Sequence, residues 1–128
     1  MALERWFVGI AAGLGGTAVA AGAFATHALR GQLSDRLLTI FETAARYQMI
    51  HALALLGVAL ALGQGGLSPS WLGAAGWALL VGTLIFSGSL YALSLTGLTV
   101  LGAVAPIGGV ALIIGWGCLA VAALVGAT

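Results

Sequence analysis

The stretch from Val100 to Val125, VLGAVAPIGGVALIIGWGCLAVAALV, decides the fold. At ~1.5 Å of helix rise per residue it is longer than the ~30 Å hydrocarbon core of a bilayer. It carries no Asp, Glu, Lys, Arg or His, and none occurs anywhere from Ala52 to the end of the chain. Reading backwards, Trp71–Leu93 is a second run of this kind, separated from the first by a polar turn over 94–99 that contains Gly97. Residues 64–70, with Gly65, Gly66 and Pro69, read as another short turn. Before it, Tyr47–Gly63 is apolar apart from Gln48 and His51. Nearer the start, Trp6–Ala25 is uncharged and long enough to cross a bilayer. Arg5 and the small residues at 18–21 give that stretch some likeness to a signal peptide. We read it as a retained span.

Composition agrees. Of 128 residues 62% are hydrophobic and only 5% are charged, against roughly 25% charged in a soluble domain. Such a chain cannot cover a surface facing water, and lipid is the solvent that suits it. A β-barrel would show ~10-residue segments of alternating polarity rather than continuous apolar runs. The expected fold is therefore an all-α integral membrane protein. It has four transmembrane helices over 6–25, 47–63, 71–93 and 100–125, forming a single transmembrane domain over 1–128. The net charge of +1 gives no basic face for nucleic acid.

The charges that exist are crowded to one part. They are Glu4, Arg5, Arg30, Asp35, Arg36, Glu42 and Arg46. Residues 26–33 read as a polar turn, and Ser34 or Asp35 then caps a new helix. Over 35–46 the pattern is amphipathic, with Leu37, Leu38, Ile40, Phe41, Ala44 and Ala45 on one face and Arg36, Glu42 and Arg46 on the other. Glu42 and Arg46 stand four apart in the favourable order. This amphipathic helix should lie at the membrane surface or project from it. Three of the four arginines fall between the first two spans, and Arg-rich short loops stay in the cytoplasm. Both termini are therefore expected outside the cytoplasm.

Alternating helix direction brings the polar span ends to one side. His27 closes the first span, Tyr47, Gln48 and His51 open the second, and Ser87, Ser89 and Tyr91 close the third. The other half consists of Gly, Ala, Leu, Val and Trp. Asp35, Thr39, Thr43, Tyr47 and His51 recur every fourth residue and form one stripe on the second helix. An ionisable group inside the membrane is costly, so His51 should point into the bundle and be hydrogen-bonded, with His27, Tyr47, Gln48, Ser87, Ser89 and Tyr91 as its candidate neighbours. The candidate ligand-binding set is His27, Glu42, Arg46, Tyr47, Gln48, His51, Ser87, Ser89 and Tyr91. The alternative is that Tyr47, Gln48 and His51 only hydrogen-bond neighbouring helices. No metal site is expected, because two histidines without a third ligand make a poor metal set. Pro106, followed by Gly108 and Gly109, predicts a kink or non-helical turn in the fourth helix. The small-residue pairs Gly9/Gly13 and Ala12/Gly16 predict close helix contacts along the first span. Cys118, in an apolar run, reads as a packing residue.

Several of these segments resemble a known family. Gly22-Ala23-Phe24-Ala25-Thr26-His27-Ala28-Leu29 is similar to the GAFGAHAL-like motif of domain of unknown function family 423. This is a UPF0382-type family of small bacterial inner-membrane proteins with a mitochondrial, vertebrate transmembrane homologue. Phe41-Glu42-Thr43-Ala44-Ala45-Arg46-Tyr47-Gln48-Met49-Ile50-His51-Ala52-Leu53-Ala54, Phe86-Ser87-Gly88-Ser89-Leu90-Tyr91 and Ala105-Pro106-Ile107-Gly108-Gly109 with Gly115-Trp116 resemble its later motifs in order. Ala25 and Thr26 stand where the family pattern usually has Gly then Ala. The resemblance implies a four-helix inner-membrane protein and no particular activity or cofactor.

Three functions fit these residues. The leading expectation is a lipid- or quinone-headgroup binder, or an accessory subunit, whose partners are membrane lipids, a second copy, or a larger membrane complex. A small oligomeric transporter or channel is the alternative. A membrane enzyme is less favoured: Glu42 and His51 are the only acid–base pair on offer, and ~13 Å of helix separates them.

Overall fold

A computed structural model describes residues 2–127; Met1 and Thr128, the two ends of the expected 1–128 domain, lie outside it. The described residues form α1 (Leu3–Phe24), α2 (Asp35–Gln64), α3 (Pro69–Thr96) and α4 (Leu101–Val125), with a π-helical turn, Ala25–Leu29, continuing α1. All four helices are long and apolar enough to cross a membrane, and no β-strand occurs among the described residues.

Local chemistry sets the helix ends. Ser34 accepts the Leu37 N–H at 3.2 Å and so caps α2. Ser68 caps α3, with Pro69 in the first turn, where its missing N–H costs nothing. Gly97 closes α3 at φ 74°, a left-handed conformation that favours glycine.

Two expectations change here. The first span does not give way to a loop at Thr26. Its last turn widens into a π-turn in which the Arg30 N–H reaches back to the Ala25 carbonyl at 3.1 Å. Ala25 and Leu29 are buried beside Phe41, and this packing keeps the segment helical. The amphipathic helix and the second span are one unbroken helix, because no Gly or Pro interrupts residues 35–56. The non-helical turn expected at Pro106–Gly109 does not form, and α4 is helical throughout. Gly108 instead serves a close approach. A Cβ there would meet the Phe86 backbone and lie 2.9 Å from the Gly82 carbonyl. On α3, Gly82 is matched by Leu112, and on α4, Gly115 is matched by Leu79. These glycines make α3 and α4 the most closely packed pair.

The small-residue pairs on α1 do not lie against another helix of this chain. Gly9, Gly13 and Gly16 meet nothing within 4 Å, and Ala12 is exposed. The backbone packing runs in series, α1 on α2, α2 on α3 and α3 on α4. The start of α1 also reaches α3, where Phe7 fills the space over Gly76 and meets Trp77 edge-on at 5.3 Å. Phe7, Leu55, Val58, Leu72 and Leu79 form a dry core at that end, as the apolar composition of that half implied. Cys118 packs against this core.

Candidate functional site

Two polar networks meet on α2, one around Gln48 and one around His51, so the expected polar cluster divides in two. The first centres on Gln48 of α2, which is 7% exposed. Its amide nitrogen donates to the Leu14 carbonyl at 2.9 Å and to the Thr17 hydroxyl at 2.7 Å, both on α1. Its amide oxygen accepts the Tyr91 hydroxyl of α3 at 2.7 Å. One side chain thus ties three helices and uses both amide donors. Nearby, Ser87 of α3 donates to the Ala44 carbonyl of α2 at 2.8 Å. Lipid offers no hydrogen bonds, so these buried groups find one another.

The second network is His51, 5% exposed and hydrogen-bonded on both ring nitrogens, as its cost in the membrane requires. The Trp116 indole N–H of α4 points at Nε2 at 3.1 Å. An indole can only donate, so Nε2 must hold a lone pair. The proton therefore sits on Nδ1 and is donated to the Tyr47 carbonyl at 2.8 Å. The ring is neutral and its tautomer is fixed. The Tyr47 ring stacks on it with centroids 6.0 Å apart.

Around this pair lies a groove with a cavity volume of about 660 Å³, lined by Arg46, Tyr47, Ile50, His51, Phe86, Gly109, Leu112, Ile113 and Trp116. Its walls are α2 and α4, which make no extended backbone contact, and Phe86 of α3 is its floor. Arg46 and Ile113 are exposed at its rim, and Trp116 is 45% exposed. The volume falls in the range of small-molecule sites, which are likewise mostly apolar with a few fixed polar groups.

The sequence-derived set therefore divides. Arg46, Tyr47 and His51 line the groove, while Gln48, Ser87 and Tyr91 tie helices together. His27, Glu42 and Ser89 join neither network. His27 is exposed on the π-turn, Glu42 is half-buried and does not line the groove, and Ser89 donates to its own helix at the Phe86 carbonyl. Of the neighbours expected for His51, only Tyr47 bonds to it. The Asp35–His51 stripe satisfies much of itself locally, since Thr39 and Thr43 donate to carbonyls four residues back, as His51 does. Trp116, Leu14 and Thr17 were missed. Trp116 alone carried a usable signal, as an indole N–H inside an apolar run.

Four spanning helices with a side groove between two of them define a multi-pass membrane protein. The family model "Protein of unknown function (DUF423)" matches residues 21–109, and the chain belongs to that family. It is 50% identical over 107 residues to a UPF0382 membrane protein of Staphylococcus epidermidis, covering 84% of this chain and 85% of that one. It is 45% identical over 108 residues to the UPF0382 membrane protein YwdK of Bacillus subtilis, covering 84% of this chain and 86% of the relative. No solved structure matches.

Proposed function

We propose that this chain is a bacterial inner-membrane protein that binds an amphiphile, with a headgroup at Arg46 and Tyr47 and an apolar tail between α2 and α4. The groove carries this reading. It is large enough for a ligand, aromatic-lined, and open between two helices that do not close on each other. The arginine distribution supports placing the Arg30–Arg46 face in the cytoplasm and both termini outside.

Native mass spectrometry of the purified chain tests the reading. The wild type is expected to retain lipid through delipidation. Gly109→Leu is expected to lose it, because a Cβ at Gly109 has room beside Phe86 and the larger side chain would fill the groove. Ile113→Trp, at the rim, is a second filler. Equal retention by the wild type and by both fillers, each correctly folded, would contradict the proposal.

A further inference from the structure

Resting on that groove reading, we infer that the occupant is an anionic phospholipid, with its phosphate on Arg46 and one acyl chain along α4 toward Trp116. The argument begins with charge. Among the described residues Arg46 is the only charged side chain lining the groove, and it is the last charged residue in the sequence. It is exposed where the amphipathic start of α2 turns apolar, and a long basic side chain at such a boundary can reach a lipid headgroup. No acidic side chain lines the groove. Glu42, one turn earlier on α2, does not line the groove, so the guanidinium meets no counter-charge from the groove itself, and its planar fork of donors matches a phosphate.

The deep end points the same way. His51 presents neither a charge nor a free donor, because Nε2 is occupied by the Trp116 N–H and the Nδ1 proton by the Tyr47 carbonyl. A quinone carbonyl reaching that depth would have to break one of these bonds. A hydrocarbon chain breaks none. From Gly109 to Trp116 the α4 wall offers ~10 Å of length, and Ile50, Phe86 and Ile113 face it with apolar surface. Among the lining side chains, the donors left without a partner in the protein are those of Arg46, exposed at the rim, and the Tyr47 hydroxyl. The groove thus has the polarity of a phospholipid, with anion-binding groups outside and hydrocarbon-compatible surface inside.

The test is competition in native mass spectrometry, using the full chain with equimolar phosphatidylglycerol and phosphatidylcholine of identical acyl chains. The wild type is expected to prefer phosphatidylglycerol by about five-fold, the scale of one arginine near a membrane surface. Arg46→Gln should remove the preference, and Arg46→Lys should keep part of it. Arg36→Gln, which does not line the groove, should leave it intact. Millimolar inorganic phosphate should not displace the lipid. A wild type without preference, or a preference that survives Arg46→Gln, would overturn the inference. So would displacement by phosphate, which would mean that a free anion is recognised. None of these results touches the groove reading, which fails instead if the groove-filling variants still hold lipid of every class.

Discussion

Trp116 of α4 donates its indole N–H to Nε2 of His51 on α2 at 3.1 Å, across a groove whose two walls make no extended backbone contact. This bond fixes the state of the histidine. With Nε2 accepting, the proton must lie on Nδ1. Nitrogen chemical shifts of the ring in reconstituted protein should report the neutral Nδ1–H tautomer. Trp116→Phe removes the donor and should release that constraint, with a stability loss of ~0.6–1.7 kcal/mol, the range of interhelical hydrogen bonds in membranes. An Nε2–H tautomer in the wild type would contradict the assignment.

Gln48 should matter more to folding than to any ligand. Its three interhelical bonds join α1, α2 and α3. Gln48→Leu should lower stability in detergent by about 1–2 kcal/mol, partly because Tyr91 loses its acceptor. Tyr91→Phe should cost less, about 0.6 kcal/mol. The two changes should be non-additive in a double-mutant cycle of unfolding free energies, since they share one bond.

Glycines that look alike in the sequence should respond oppositely to alanine. Gly108→Ala drives a methyl group into the Phe86 backbone, which cannot rotate away. It should cost about 1–3 kcal/mol, as overpacked sites do. Gly13→Ala meets open space and should be neutral or stabilising by up to ~1 kcal/mol through helix propensity. Thermal unfolding in detergent distinguishes the pair.

The orientation is checked by reporters. Fusions at the C-terminus active only outside the cytoplasm, with fusions in the Arg30–Leu33 turn active only inside, are the expected outcome. A cytoplasmic C-terminus would invert the placement of Arg46 without altering the bundle.

Much of the fold was legible because long charge-free runs leave few alternatives in a bilayer. The inward direction of His51 was legible from cost alone, since a lipid-facing imidazole would lose its hydrogen bonds. Which groups answer it was not. Backbone carbonyls such as that of Leu14 carry no sequence signal. Trp116 sits in a helix that is apolar all round, so periodicity could not say which face turns toward α2. The small-residue pattern misled for a related reason. Glycine spacing marks a face that permits close approach, but it does not say whether a partner is there. The pairs on α1 meet open space, while Gly82, Gly108 and Gly115 carry the α3–α4 contact. The π-turn at Ala25–Leu29 looked like a loop because Thr26 and His27 are polar, yet Ala25 and Leu29 on its other side are buried beside Phe41.

The central claim is that the α2–α4 groove holds an amphiphile, and a structure determined in lipid nanodiscs tests it most directly. The expected result is elongated density that begins at the Arg46 guanidinium, passes Ile50 and Phe86, and ends against Trp116. A groove filled by a helix of another protein or a second copy, or collapsed with α2 packed directly on α4, would contradict it.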